Sequence, residues 1–235
     1  MINGRKWIRS LELRELLGRP VVYEAFQSII GANNSRRMFI EEFVAPLAGQ
    51  RVLEVGCGPG GNCRWVPPTV DYVGTDISAE YVSHARDAYG DKAQFHICPV
   101  GKLASLDVGR FAAVIAVNLL HHLADSEVAD LCDEVKRLLD EGGVMITADP
   151  CITPQQSRLE RKITLLDRGK HVRSPEHYAD LMRQNFDHAA IRVGSGHARF
   201  PNTGTTMVAW NGPQERSTVA WAKVDAGRIR PAARV

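Results

Sequence analysis

The chain has 235 residues and a formal net charge of +2, from 29 Lys and Arg against 27 Asp and Glu. That length fits one domain, or one domain with an appended cap, and a hydrophobic content of 44% is too high for a disordered chain. The balanced charge gives no footing for a nucleic-acid partner. The longest apolar run, residues 111–120, is interrupted by Asn118 and is about half a membrane span. The first seven residues hold no apolar signal core, so a cytoplasmic protein without membrane insertion is expected. Five cysteines, an odd number with no C-x-x-C pair, argue against a zinc site or a disulfide framework.

Residues 1–48 read as a helical N-terminal cap. Pro20 suits a first helical position, and Val22, Phe26, Ile29 and Ile30 follow at helical spacing. Asn34 or Ser35 is expected to cap a further helix carrying Met38, Phe39 and Phe43. Strands are expected at 51–55, 71–75, 93–97, 111–117 and 144–148. Between them lie a helix capped by Ser78 and a helix capped by Asp125, the second closed by Gly142 and Gly143. Ser174 is expected to cap one more helix, with Pro175 at its first position. Residues 189–193 and 205–210 read as two last strands. Strands alternating with helices specify an α/β fold, a parallel sheet with helices on both faces. The core domain is expected over 49–212, with 151–173 as an insertion and 213–235 as a tail.

The sharpest feature is residues 52–61, VLEVGCGPGG, a buried-strand run that ends in glycines and is expected to open a helix. Glycines permit positive φ and close approach of a ligand to the backbone. Asp76 ends the next strand, where a carboxylate can accept from the two hydroxyls of a ribose. Gly56, Gly58 and Gly61 formally satisfy a dinucleotide fingerprint, so a nicotinamide-dependent oxidoreductase is the rival reading. Glu54 inside the strand, the alternating Gly56, Gly58 and Gly60, and about 50 residues before the strand count against that rival.

These residues resemble motif I of the class I S-adenosylmethionine-dependent methyltransferases. Residues 72–78 (YVGTDIS), 117–123 (VNLLHHL) and 138–144 (LLDEGGV) are similar to that family's later motifs. Residues 166–173 (LDRGKHVR), with Tyr178 and Phe186, resemble a subgroup of bacterial small-molecule methyltransferases. The resemblance implies a Rossmann-like seven-stranded sheet in the order 3-2-1-4-5-7-6, with strand 7 antiparallel. It implies S-adenosylmethionine as cofactor, with Gly56, Gly58 and Gly60 flanking its methionine part and Glu54 and Cys57 among the cofactor-binding residues. It implies Asp76 at the ribose and Ile77 on the adenine face. Where the family has an acidic residue near the adenine amine, this chain has Pro99, so only a carbonyl of Pro99 or Val100 is on offer.

Methyl transfer asks the protein for proximity and alignment, and for a base if the acceptor is a hydroxyl or an ammonium. His121 is the preferred base, because the carboxyl end of the fourth strand faces the ligand crevice. His122 is expected to brace its loop against strand 5. His171 is a second candidate for the chemistry. Arg168 and Arg173 are candidates to hold an acceptor, Tyr23 and Phe26 to cover it, and Asn118 to touch cofactor or acceptor. The expected pocket lies between Tyr23 or Phe26 and residues 168–173, floored by Asn118 and His121. The acceptor is expected to be a small molecule, with O- or N-methylation ahead of C-methylation. A silent cofactor-binding protein is a third reading.

Overall fold

The computed structural model describes residues 32–165, 169–195 and 203–213. The expected pocket residues Tyr23, Phe26 and Arg168, and all but the first residue of the expected tail, lie outside the described residues. Seven strands form one sheet: β1 (Arg51–Val55), β2 (Asp71–Asp76), β3 (Gln94–Ile97), β4 (Phe111–Val117), β5 (Leu139–Pro150), β6 (His188–Ser195) and β7 (Thr203–Trp210). Their order is β3-β2-β1-β4-β5-β7-β6, as expected. The first five run parallel, and β7 pairs antiparallel with both β5 and β6.

Both faces of the central strands are covered, so β1 reads as an almost continuous apolar run. Leu53, Val55, Val114 and Met145 pack on one face against helices α3 (Asp125–Leu138) and α5 (Pro175–Asn185). Val52, Tyr72, Ile115 and Ile146 pack on the other, against α2 (Ala79–Tyr89) and the N-terminal segment. In that segment α1 (Ala32–Phe39) runs straight through Asn34 and Ser35, which therefore cap nothing. It continues into a π-helical turn (Ile40–Val44) and a 3-10 turn (Ala45–Leu47), whose Ile40, Phe43, Val44 and Leu47 are buried. This part of the segment docks on the sheet.

Two caps form as expected. Ser78 Oγ accepts from the Tyr81 N–H at 3.3 Å, and Ser174 Oγ from the His177 N–H at 3.2 Å. Asp125 does not cap α3. The flanking residue is Ala124, whose N–H is accepted by Glu127 at 2.7 Å, and the Asp125 carboxylate is engaged elsewhere. Gly142 and Gly143 do not close that helix either. α3 stops at Leu138, and β5 starts at once with Leu139 opposite Phe111. The register then shifts before Val144 pairs with Ala113, and Gly142, at φ 76°, lies in the extra length of β5.

The helix expected behind the glycines is also absent. Cys63–Trp65 is a single 3-10 turn. Pro67 and Pro68 follow, lack amide donors, and hold Val66 extended at φ −67°, ψ 128°. Among the described residues no helix is long and apolar enough to cross a membrane. The insertion contains α4 (Arg158–Leu165) and closes where Cys151 bridges to Arg173.

Candidate cofactor and acceptor site

The sheet order reverses between β1 and β4, and the carboxyl ends of the strands at such a reversal are where open α/β sheets bind their ligands. The glycine loop sits at this point. Gly56, Gly58 and Gly60 have φ values of 73°, 54° and 87°. A Cβ at Gly56 would meet Leu119 Cδ1 at 2.9 Å, and one at Gly60 would meet Tyr89 Cδ2 at 2.8 Å. At Gly58 nothing lies within 4 Å. Two of the glycines thus serve packing, and Gly58 leaves its backbone open to a ligand. Gly60→Ala is expected to cost about 2 kcal/mol from the left-handed backbone and the contact with Tyr89. A thermal melt should read this as a fall of roughly 5 °C; an unchanged melting temperature refutes it.

The loop is fastened to β2. Thr75 O accepts from the N–H groups of Gly56 and Cys57, at 2.7 and 2.9 Å. Asp76 Oδ2 accepts from Gly58 N–H at 2.9 Å, and Oδ1 from Ser78 N–H at 2.8 Å. Asp76 therefore braces the loop at this reversal. His84 Nδ1 lies 3.3 Å from Pro59 O. Cys57 offers only its backbone. Its side chain is buried, burial drives the thiol pKa far up, and Sγ packs under Gly74.

Beneath the loop lies a polar cluster that sequence reasoning did not assemble. Glu54 is 1% exposed. Its Oε1 accepts from Asn62 Nδ2 at 2.5 Å, and its Oε2 accepts from the Tyr72 hydroxyl. Burial raises its pKa to about 7; Tyr72, Asn62 and the Arg36 charge pull the other way. Arg36, on α1, lies against Gly61, where an added Cβ would come within 2.6 Å of Nη1. Among the described residues its guanidinium has no hydrogen-bonding or ion-pairing partner. A single arginine in a polar helix carries no sequence signal that would have revealed it.

Ile77 is 74% exposed and Ile97, paired with Asp76 across β2 and β3, is 50% exposed. Large apolar side chains left in solvent at the edge of a crevice form a surface on which an aromatic ring can lie. Pro99 O already accepts from Lys102 N–H at 3.1 Å, and Val100 opens a 3-10 turn.

On the acceptor side, Asn118 ends β4 at φ 55°, the one positive φ outside glycine among the described residues. Its N–H donates to Ala148 O at 2.7 Å. Asparagine tolerates this region, and such outliers gather at functional positions. His121 is 2% exposed, and its Nδ1 lies 2.8 Å from Asp149 Oδ1, which also accepts the His121 N–H at 3.1 Å. The oxygen that already accepts the His121 backbone N–H acts as acceptor to the ring as well, so Nδ1 carries the proton and Nε2 is the basic nitrogen of the ring. The bracing contact to β5 expected of His122 is thus made by His121. His122 is exposed, with its ring centroid 4.0 Å from that of His121. Asp149 was missed because a lone acid before a proline has no spacing signal.

The insertion docks on this corner. His171 N–H donates to His121 O at 2.9 Å, and Gly169 packs on the His121 ring. Arg173 does not serve as an acceptor ligand. It is 6% exposed, and its guanidinium donates to Leu120 O, His171 O, Leu123 O and Asp125 Oδ1 at 2.6–2.9 Å. It is a clamp between the insertion and the turn after β4. It also holds the Asp125 carboxyl below its ordinary pKa.

The sequence model of the methyltransferase-domain family matches residues 52–143. The chain is 31% identical over 136 residues to a ubiquinone biosynthesis O-methyltransferase of Psychrobacter cryohalolentis, covering 53% of this chain and 52% of that protein. It thus spans about half the length of this curated relative. The fold is similar to human N-acetylserotonin methyltransferase, solved in complex with S-adenosylmethionine (TM-score 0.64, 17% identity, 83% of this chain and 56% of that one). It is also similar to magnesium protoporphyrin IX methyltransferase from Synechocystis, solved with bound S-adenosylhomocysteine (TM-score 0.61, 20% identity, 86% of this chain and 100% of that one). The matched segment carries the whole glycine loop and Asp76, and the seventh strand is antiparallel as the family requires. With these features residues 52–143 match the methyltransferase-domain family, and the chain has the fold of the S-adenosylmethionine-dependent methyltransferases it resembles.

Proposed function

We propose that the protein transfers a methyl group from S-adenosylmethionine to the hydroxyl of a small-molecule acceptor. The observation that carries this is the open backbone at Gly58, fastened to Asp76 within a loop of three positive-φ glycines. The groups around it match the parts of the cofactor. The Asp76 carboxylate suits ribose hydroxyls, Ile77 and Ile97 suit a purine face, and Arg36 suits a carboxylate. The relative named as an O-methyltransferase supports oxygen as the acceptor atom. Bound cofactor supplies the electrophilic methyl group.

The chain's own residues supply alignment and a proton acceptor. Asp149 fixes the tautomer of His121, whose Nε2 would take the proton of the acceptor hydroxyl. Asn118 lies at the same strand end and contacts the cofactor's amino group or the acceptor. His171 sits in the insertion that walls this side.

S-adenosylhomocysteine at 100 times its Kd is expected to stabilise the fold by about 2.7 kcal/mol, seen as a rise of roughly 5–10 °C in melting temperature. NAD and NADP should produce no shift. The reverse result would restore the nicotinamide reading. Incubation with radiolabelled cofactor and a panel of phenols and amines then tests the acceptor class. Label transferred only to amines refutes the hydroxyl assignment.

A further inference from the structure

We propose that the buried Glu54–Asn62 pair couples cofactor binding to proton release, with Asn62 turning its carboxamide between an acid and a carboxylate form of Glu54. This rests on the reading that S-adenosylmethionine binds in the glycine loop. Glu54 lies on β1 directly before the loop, and Asn62 follows it directly after Gly60 and Gly61. Asn62 is 6% exposed. Its Nδ2 donates to Glu54 Oε1, while its Oδ1 is buried and has no hydrogen-bond partner among the described residues. A buried amide oxygen without a donor is costly and calls for an explanation.

The two ends of a carboxamide have nearly the same shape, so turning it over exchanges donor for acceptor. In one orientation Nδ2 donates to a carboxylate, as in the structure, and Oδ1 lacks a donor. In the other, Oδ1 accepts from the O–H of a protonated Glu54, and the Nδ2 donors take the position that lacks a partner. One neighbour thus satisfies Glu54 in both charge states. The methionine end of the cofactor carries an ammonium group. That group supplies the missing donor to Oδ1, which holds the amide in the carboxylate orientation. The Glu54 proton leaves to solvent, and no other bond breaks.

The surroundings poise this exchange near neutral pH. Tyr72 on β2 and Asn62 after the loop hydrogen-bond to the carboxyl, and Arg36 on α1 favours its negative form. Asp76 at the end of β2 disfavours it. Cys57 and Cys63 stay neutral thiols, because burial pushes both up. Burial of Glu54 outweighs these favourable contacts and lifts its pKa from 4.5 to about 7. The sign follows. A ligand that prefers the carboxylate binds more tightly as pH rises through the value of the free protein, and pH ceases to matter above it. Affinity should rise about fivefold from pH 6 to pH 7, and by less than about twofold from pH 7 to pH 8.

Titration calorimetry of S-adenosylhomocysteine at pH 7, in phosphate and in Tris, tests this. The difference in heat between the two buffers counts protons. About half a proton should be released per ligand bound, and none in Glu54→Gln. Tyr72→Phe keeps the test open if Glu54→Gln does not fold. It removes a donor to the carboxylate, so proton release at pH 7 should increase and the pH midpoint of affinity should move up. Equal heats in both buffers, with an affinity flat from pH 6 to pH 8, overturn the proposal. Absence of any binding overturns the reading on which it rests.

Discussion

Asp76→Ala is expected to weaken S-adenosylhomocysteine binding by about 100-fold. The carboxylate accepts the N–H groups of Gly58 and Ser78 and so shapes the loop before any ligand arrives. The same oxygens have lone pairs left for ribose hydroxyls. Hydrogen bonds to a charged group are worth roughly 1.5–3 kcal/mol each, and losing both the brace and the ligand contacts removes about 2.7 kcal/mol or more of binding. Asp76→Asn keeps one acceptor oxygen and should fall between wild type and the alanine variant. A Kd within threefold of wild type for Asp76→Ala would show that the ribose lies elsewhere. His121→Ala, measured alongside, should leave the Kd nearly unchanged.

Arg173→Ala is expected to produce the largest loss of stability. The side chain is buried, and it ties three backbone carbonyls and the Asp125 carboxylate together across the junction of insertion and sheet. Removing the buried guanidinium leaves three backbone carbonyls without their donor, at a cost of about 3–5 kcal/mol, while the half-exposed Asp125 carboxylate returns to water. For a chain of this size that is a fall of about 10 °C in melting temperature. Arg173→Lys should recover little, because a single ammonium cannot span the fork of acceptors. A variant that melts like wild type but raises the acceptor KM would return Arg173 to the acceptor site and refute the clamp.

How much of this was legible in the sequence differs from element to element. Residues 51–55 and 111–117 are strands with the expected limits, because short apolar runs bounded by glycine or polar residues have few other ways to be buried. Ser78 and Ser174 cap helices because their hydroxyls meet local backbone N–H groups, a relation contained within four residues. The positive φ values at Gly56, Gly58 and Gly60 belong to the same class, since glycine alone enters that region without strain. The sheet order came from the family resemblance, and the strands pair in that order.

The sequence by itself thus determined what is local: the strands, the caps, the glycine turn and the carboxylate at the end of β2. Tertiary structure decided which distant groups meet. Asp125 was legible as an acid at the start of a helix, but Arg173, 48 residues on, takes its carboxylate from the cap position. His121 was chosen for its place at the end of β4, yet Asp149 from β5 sets its tautomer. Glu54, Asn62, Tyr72 and Arg36 lie on separate elements and come together under one loop. No periodicity records such meetings, because hydrogen-bond and charge contacts between elements depend on how the sheet twists and packs and on no repeat along the chain.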